Sequence, residues 1–152
     1  MCAPKAFGAW YLRCAAAATL LETHILWSSV AAGLGNVGQG SYAAGNACLD
    51  AHALSQRARG MAACSLQWPL VGGAGMGAAA LALMGERLKG IAGMASISLD
   101  QYSECLRTAI YGTSSLAVSV QMVHRRDVGE LLGDLTDAGQ PRFAELHGAG
   151  RE

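Results

Sequence analysis

Longer segments with helical spacing alternate with short apolar runs along this 152-residue chain. Residues 5–21 are rich in Ala and carry apolar side chains around most of a helical circumference, which predicts a largely buried helix. Residues 24–31, HILWSSVA, form an apolar run of strand-forming residues without alternation, which is typical of a strand buried on both faces. Glycines at positions 33, 35, 38 and 40 then predict a loop.

The same order of elements recurs twice. Residues 41–59 have a helical pattern that stops at Gly60, and residues 61–68 form a second buried run. Residues 99–111 again have helical spacing, and residues 116–123 form a third strand-like run. Helices that alternate with buried strands indicate an α/β fold with a parallel sheet. Three strands are few for such a sheet, and no G-x-G-x-x-G turn follows an early strand, so the chain has the pattern of the second half of a larger domain.

Two further segments complete this outline. Ser98 and Gln101 have the spacing of a capping box, which predicts where the third long helix begins. From Gly129 onward the chain is polar and dotted with glycine. We therefore expect a folded region over residues 1–128 and a polar, disordered tail over residues 129–152.

Composition and charge exclude several classes of function. Hydrophobic residues make up 52% of the chain and charged residues 14%, which indicates a globular domain with its own core. Eleven basic and eleven acidic side chains cancel, so no electrostatic footprint indicates a nucleic acid or a membrane surface as partner. No run of about 18 consecutive apolar residues is present to form a membrane-spanning helix.

The cysteines and histidines predict neither disulfides nor a metal site. The five cysteines are odd in number, widely spaced and without a C-x-x-C pair, which favours a reducing, cytoplasmic compartment. The four histidines share no ligand spacing, so we expect no bound metal.

Polar side chains gather where the first predicted strand ends. Ser28 and Ser29 lie at its carboxyl end, and Pro69 and Leu70 follow the second strand. Tyr42 and Asn46 are four residues apart, so they share one face of the intervening helix. Ligands of open parallel sheets bind at the carboxyl ends of the strands, and these residues are therefore candidates for one crevice.

Proton transfer is the chemistry that such a set could perform. A free tyrosine has a pKa near 10 and is a poor acid at neutral pH, but a nearby cation favours the phenolate. Lys5 is the upstream candidate for that cation, a serine could hold a carbonyl oxygen against the phenol, and Asn46 could fix the lysine or a water. Each residue alone has a structural alternative: a serine pair in a turn, a tyrosine in amphipathic packing, an asparagine facing solvent.

The stretch ILWSSVAAGLGNVGQGSYAAGNACLDAHALSQRARG (25–60) resembles the ketoreductase domains of modular polyketide synthases, which belong to the short-chain dehydrogenase/reductase superfamily. Upstream, PKAFGAWYL is similar to that family's lysine-bearing helix. Downstream, ACSLQWPLVGGAGMG and SISLDQYSECLRTAI are similar to its later strand and helix. The resemblance covers roughly residues 3–128. It implies a partial Rossmann-like sheet with helices on both faces, in which the N-terminal nucleotide-binding half is missing.

The resemblance also implies roles for individual residues. Tyr42 would protonate the β-keto oxygen, Ser29 would hydrogen-bond that oxygen, and Lys5 would stabilise the phenolate and contact the nicotinamide ribose. Asn46 would complete the tetrad. The residues that would border the nicotinamide together with Lys5 and Tyr42 are Trp68, Pro69 and Leu70. Residues 72–90 would form a lid over the substrate.

A cofactor and partners follow from the same resemblance. Hydride would come from NADPH, and the substrate would be a β-ketoacyl thioester bound to an acyl carrier protein. Other synthase domains would be neighbours. Without its first half, the sheet would expose an edge that needs covering, for which self-association is one route. QWPL departs from the family's usual W-G-x-W at the nicotinamide wall.

Three hypotheses of function remain at this point. The first is a ketoreductase, or its catalytic half. The second is a truncated, non-catalytic remnant that serves only as a structural or assembly element. The third, a stand-alone alcohol dehydrogenase, is disfavoured because LDAHALSQRARG and PKAFGAW resemble the synthase branch.

Overall fold

The computed structural model describes residues 2–35, 38–72, 96–112 and 120–122, with residues 137, 139–141 and 144 beyond them. Their three long helices and their strands follow one another as predicted. In chain order these are α1 (Cys2–Ala15), β1 (His24–Ser29), α2 (Ala31–Leu34), α3 (Gly40–Arg57), β2 (Ala63–Trp68), α4 (Leu99–Gly112) and β3 (Val120–Met122). The α/β prediction is confirmed.

The described strands form one parallel sheet in the order β1-β2-β3. His24 pairs with Ala63 at the start of β1, and Ser29 pairs with Trp68 at its end. The central strand β2 is buried along its whole length, as expected for a strand covered on both faces.

Helices cover both faces of the sheet, as the resemblance implied. Alternate side chains of a strand point to opposite faces, so each strand supplies residues to both layers. On one face a core cluster joins β1 to α1 and α3, and its buried members are Ala9, Leu26, Leu49 and Ala53. On the other face a second cluster joins β2 to α4, and its buried members are Cys64, Leu66, Trp68, Ile97 and Ala109.

Two predicted helix boundaries are confirmed by hydrogen bonds. The Ser98 amide donates to Gln101 Oε1 (2.9 Å), and the Gln101 amide donates to Ser98 Oγ (3.2 Å), which completes the capping box at the start of α4. At the end of α3, Gly60 has φ +79°, and the amide of Met61 donates back to the Gln56 carbonyl (3.1 Å). Glycine takes up this left-handed conformation without the steric cost of a Cβ.

Two details differ from the sequence prediction. Helix α1 ends at Ala15 rather than at residue 21, because residues 17–21 are exposed and Leu20 is fully so. Helical propensity without tertiary packing is too weak to extend a helix. In addition, α2 occupies residues that the glycine pattern assigned to a loop, where the amide of Ala31 donates to Ser29 Oγ (3.3 Å).

Several predictions lie largely outside the described residues. They concern most of the third strand (116–123), nearly all of the lid (72–90) and most of the tail (129–152). Cys14, Cys48, Cys64 and Cys105 are free thiols. Within the described ranges, no helix has the length and apolar character that crossing a bilayer requires.

A polar cluster lies at the amino-terminal end of β1, opposite the end that carries the serines. His24 Nδ1 is 3.0 Å from Gln56 Oε1, and the His52 ring meets those of His24 and Trp10 edge to face. Burial lowers the pKa of His52, and the nearby basic side chains of His24, Arg13 and Arg59 lower it further. The Nε2 atom of His52 is buried without a hydrogen-bond partner among the described residues.

We predict that this cluster makes the fold sensitive to mild acid. Because the folded-state pKa of His52 is below its ordinary value of 6.5, the unfolded chain takes up the proton at a higher pH than the folded chain. The stabilising contribution of neutral His52 is therefore complete above about pH 6.5 and is lost as the pH falls through that value towards the lower folded pKa. Urea unfolding at about pH 7.5 and about pH 5.5 measures the loss of stability.

The variant His52→Gln should lose less stability over this interval than the parent chain. Ser55→Gln is the matched control, because it places the same side chain on an exposed position of the same helix. An acid-induced loss of equal size in the parent and in His52→Gln would show that His52 does not cause it.

Candidate functional site

The two serines at the end of β1 are both buried but have different partners. The hydroxyl of Ser28 donates to the backbone carbonyl of Asn46 (3.3 Å) and so fastens β1 to α3. The hydroxyl of Ser29 accepts a hydrogen bond from the amide of Ala31 (3.3 Å) at the start of α2. Since an accepting hydroxyl keeps its own hydrogen, Ser29 can still donate to a ligand.

Asn46 lies in the middle of α3 and is completely buried. Its Nδ2 donates to the backbone carbonyl of Tyr42, one turn earlier (3.0 Å). Its Oδ1 accepts a hydrogen bond from the ammonium of Lys5. A buried amide is costly unless both of its ends are paired, and here the helix itself pairs one end and α1 pairs the other.

Lys5 comes from α1, 41 positions earlier in the chain than Asn46. Its Nζ also donates to the backbone carbonyl of Trp27 in β1 (3.3 Å) and lies 5.4 Å from the centre of the Tyr42 ring. At this distance an ammonium is attracted to the aromatic ring. An ammonium has three donors, and the described residues accept two of them, so one N–H can reach a ligand.

Direct contacts therefore bring together three of the four predicted catalytic residues: Lys5, Tyr42 and Asn46. Tyr42 is only half-buried, so its ring borders solvent. Ser29 lies one residue after Ser28, which is bonded to α3, at the carboxyl edge of the sheet. Lys5 holds a positive charge beside the Tyr42 phenol, an arrangement that suits proton donation to a carbonyl oxygen.

The residues predicted to border a nicotinamide lie at the adjacent strand end. The ring of Trp68 packs on Tyr102 of α4 with a centroid distance of 4.4 Å, and its carbonyl accepts a hydrogen bond from the amide of Val30 (3.1 Å). Pro69 is buried and Leu70 is partly buried. Most of the Trp68 side chain is thus engaged with α4, and Leu70 is the more accessible of the three.

The structure adds contributors that the sequence interpretation missed. The backbone carbonyl of Trp27 holds Lys5, and the indole Nε1 of Trp27 donates to the hydroxyl of Tyr102 (3.0 Å). The helical spacing of α4 marks Tyr102 as a core residue, but nothing in the sequence pairs it with Trp27. A backbone acceptor leaves no signature in the sequence at all.

Comparison with known proteins identifies a family for the part of the chain that carries these residues. A model of the KR domain family matches residues 1–73, which include Lys5, both serines, Tyr42 and Asn46. Residues 1–73 belong to the ketoreductase domain family. The parallel sheet with helices on both faces is the Rossmann-like arrangement of ketoreductases of the short-chain dehydrogenase/reductase superfamily.

Curated relatives are modular polyketide synthases. Polyketide synthase GfsA of Streptomyces halstedii is 35% identical over 161 aligned positions, which cover 97% of this chain and 2% of that synthase. Spectinabilin polyketide synthase system protein NorB of Streptomyces orinoci is 44% identical over 97 positions, which cover 64% of this chain and 4% of that protein. The chain thus spans a small part of the relatives that it matches.

Solved ketoreductases share the fold of this chain. The first ketoreductase of the tylosin polyketide synthase superposes with a TM-score of 0.67 at 30% identity, over 93% of this chain and 31% of that one. An A-type ketoreductase from a modular polyketide synthase gives a TM-score of 0.72 at 26% identity, over 90% of this chain and 27% of that one.

We predict that Asn46→Ala destabilises the ketoreductase-family fold by about 1–3 kcal/mol, the usual cost of leaving buried polar partners unpaired. The substitution leaves the Lys5 ammonium with one acceptor fewer and opens space in a fully buried position. Urea unfolding measures the loss. Cys48→Ala, at an exposed position of the same helix, should change stability by less than about 0.5 kcal/mol. Equal effects of the two substitutions on stability would contradict the role of Asn46 as a buried amide paired with Lys5.

Proposed function

We propose that this chain contributes the catalytic residues of an NADPH-dependent ketoreductase. The reaction is reduction of a β-ketoacyl thioester, carried on an acyl carrier protein, to the β-hydroxyacyl thioester. The observation that carries the proposal is the contact of Lys5 with both Asn46 and the Tyr42 ring, beside the strand end that bears Ser29. The match of residues 1–73 to the KR domain family supports it.

In this proposal Tyr42 is the general acid. Its hydroxyl donates a proton to the substrate's keto oxygen as that oxygen gains negative charge, and the Ser29 hydroxyl donates a hydrogen bond to the same oxygen. The phenolate left on Tyr42 lies next to the Lys5 ammonium, whose Nζ is 5.4 Å from the ring centre. The positive charge stabilises the phenolate in a site that is partly shielded from water.

Lys5 and Asn46 have linked tasks. Asn46 is fixed within α3 by its bond to the Tyr42 carbonyl, so its Oδ1 presents a fixed acceptor to Lys5. Together with the Trp27 carbonyl, this acceptor holds the ammonium near the phenol instead of in solvent. The pair therefore positions the positive charge of Lys5 before the substrate binds. Charged groups that are already in position need not rearrange during the reaction, which is how preorganised electrostatic catalysis works.

The residues present fit the nicotinamide end of the cofactor. Lys5 retains a donor for a ribose hydroxyl. Leu70, the most accessible of Trp68, Pro69 and Leu70, follows the neighbouring strand end, where ligands bind in open parallel sheets. When bound, NADPH supplies the hydride. The remaining contacts of the cofactor would come from parts of a ketoreductase domain beyond the 31% that this chain matches.

The wider context of the proposal follows from the relatives. Because they are modular polyketide synthases, we infer a cytoplasmic location, a carrier-bound substrate and neighbouring synthase domains as partners. Self-association through the outer edge of β1, which has no strand partner among the described residues, is part of the same proposal.

The first test is cofactor binding by the chain. Titration with NADPH, followed by its fluorescence, should give a saturable signal, and a small β-ketothioester surrogate should then be reduced. A chain that gives no saturable signal at high micromolar concentrations would favour the structural or assembly role over the enzymatic one.

The second test is Tyr42→Phe. Without the acidic hydroxyl, reduction of the surrogate should fall by at least about 100-fold, the usual contribution of a general acid, while NADPH binding changes little. Tyr11→Phe is the matched control, since Tyr11 is exposed on α1 and should leave turnover unchanged. Undiminished turnover in Tyr42→Phe would remove Tyr42 from the mechanism.

A further inference from the structure

A buried carboxylate lies one helical turn beyond Asn46. Asp50 of α3 is 8% exposed, and both of its oxygens are engaged. Oδ1 accepts a hydrogen bond from the hydroxyl of Ser65 (2.6 Å), and Oδ2 accepts one from Nε2 of Gln67 (2.8 Å). Both donors belong to the central strand β2 and lie on the face of the sheet that α3 covers.

Holding a helix against a sheet with a buried carboxylate carries a large free-energy cost. Burying it costs several kcal/mol, and among the described residues it hydrogen-bonds to neutral donors only, Ser65 and Gln67. An apolar side chain would bury more cheaply at this position. Apolar contact tolerates sliding, however, whereas two hydrogen bonds to donors two residues apart fix both the rotation of α3 and its position along β2.

Asp50 belongs to the same row of side chains as the candidate catalytic residues. Tyr42, Asn46 and Asp50 are spaced by four residues, so Asp50 lies about 6 Å along the helix axis from Asn46. A second polar link, from the Ser28 hydroxyl to the Asn46 carbonyl, ties the same row to β1. Helix α3 is therefore bonded to two adjacent strands at two heights.

We propose that Asp50 is a positioning residue: its bonds to Ser65 and Gln67 set the placement of α3 at which the amide of Asn46 meets Lys5. The proposal rests on the proposed function for its catalytic meaning. The geometric claim stands separately, because the contact between Lys5 and Asn46 can be measured without turnover.

The test measures the energetic coupling between Lys5 and Asn46. Lys5→Met, Asn46→Ala and the double variant are unfolded in urea, and their free energies give the coupling by a double-mutant cycle. The same cycle is then repeated with Asp50→Ala in every chain, because alanine can form neither bond, whereas asparagine could still bond to Ser65 and to a flipped Gln67 amide. If Asp50 positions α3, most of the coupling is lost in the Asp50→Ala background, beyond any general loss of stability.

A reciprocal exchange provides the rescue. In the variant Asp50→Asn with Gln67→Glu, the amide and the carboxylate change places, so the bond between α3 and β2 can form again with its donor reversed. We expect the coupling to return to most of its parental value. The same variant keeps the proposal testable if Asp50→Ala alone does not fold. Asp100→Ala, which removes an exposed acid on α4, is the control that should leave the coupling unchanged.

Turnover gives the functional arm of the test. Asp50→Ala should lower kcat for the surrogate at least tenfold while the KM for NADPH changes less than twofold, and the reciprocal exchange should keep kcat near the parental value. Full coupling in the Asp50→Ala background would overturn the proposal, because Asp50 would then only add stability. A parent chain without turnover would instead count against the proposed function, while the coupling cycle would still decide the role of Asp50.

Discussion

The hydrogen bond between the Lys5 ammonium and the buried amide of Asn46 is the contact on which the candidate site depends. It joins two helices that the chain separates by 41 positions, and it places the only positive charge seen against the Tyr42 ring among the described residues. The amide is bound at both ends, and the ammonium has a second acceptor in the Trp27 carbonyl. A buried polar network of this kind is stiff when every member is paired, and costly when one is not.

Apolar packing brings these groups close but does not fix them. The core between α1, β1 and α3 consists of two leucines and two alanines. The small side chains of Ala9 and Ala53 let the elements approach, yet they offer little shape to resist sliding. Much of α1 faces away from this core, since Phe7 and Tyr11 are exposed. Directional contacts must therefore set the final geometry, and the polar links of α3 to both strands are suited to that task.

The sequence predicted the parts of the fold that local rules determine. The order of helices and strands follows from hydrophobic spacing, the start of α4 from the capping box, and the end of α3 from Gly60. The end of α1 was predicted wrongly, since propensity favours helix through the Ala-rich segment whereas packing ends at Ala15. Such local rules do not predict contacts between residues that are far apart in the sequence.

The candidate site shows the same division. Spacing alone placed Tyr42 and Asn46 on one helical face, and the contacts of Lys5 with both side chains agree with that placement. Lys5 was named as the upstream candidate for a cation, and the resemblance to a family implied the same role, but no local pattern links α1 to α3. Asp50 carried a signal that was overlooked, since it continues the row of Tyr42 and Asn46 by four residues.

The two adjacent serines at the end of β1 form hydrogen bonds with different helices. Neighbouring residues of a strand point in different directions, so the two hydroxyls bond to different elements. Ser28 is the one whose hydrogen is used, since it donates to the Asn46 carbonyl and holds α3 in place. Ser29 accepts from the Ala31 amide, which orients its oxygen and leaves its hydrogen available at the edge of the sheet. The proposed donor to a carbonyl substrate is thus oriented by α2, and the helix that bears the proposed acid is held by the serine beside it.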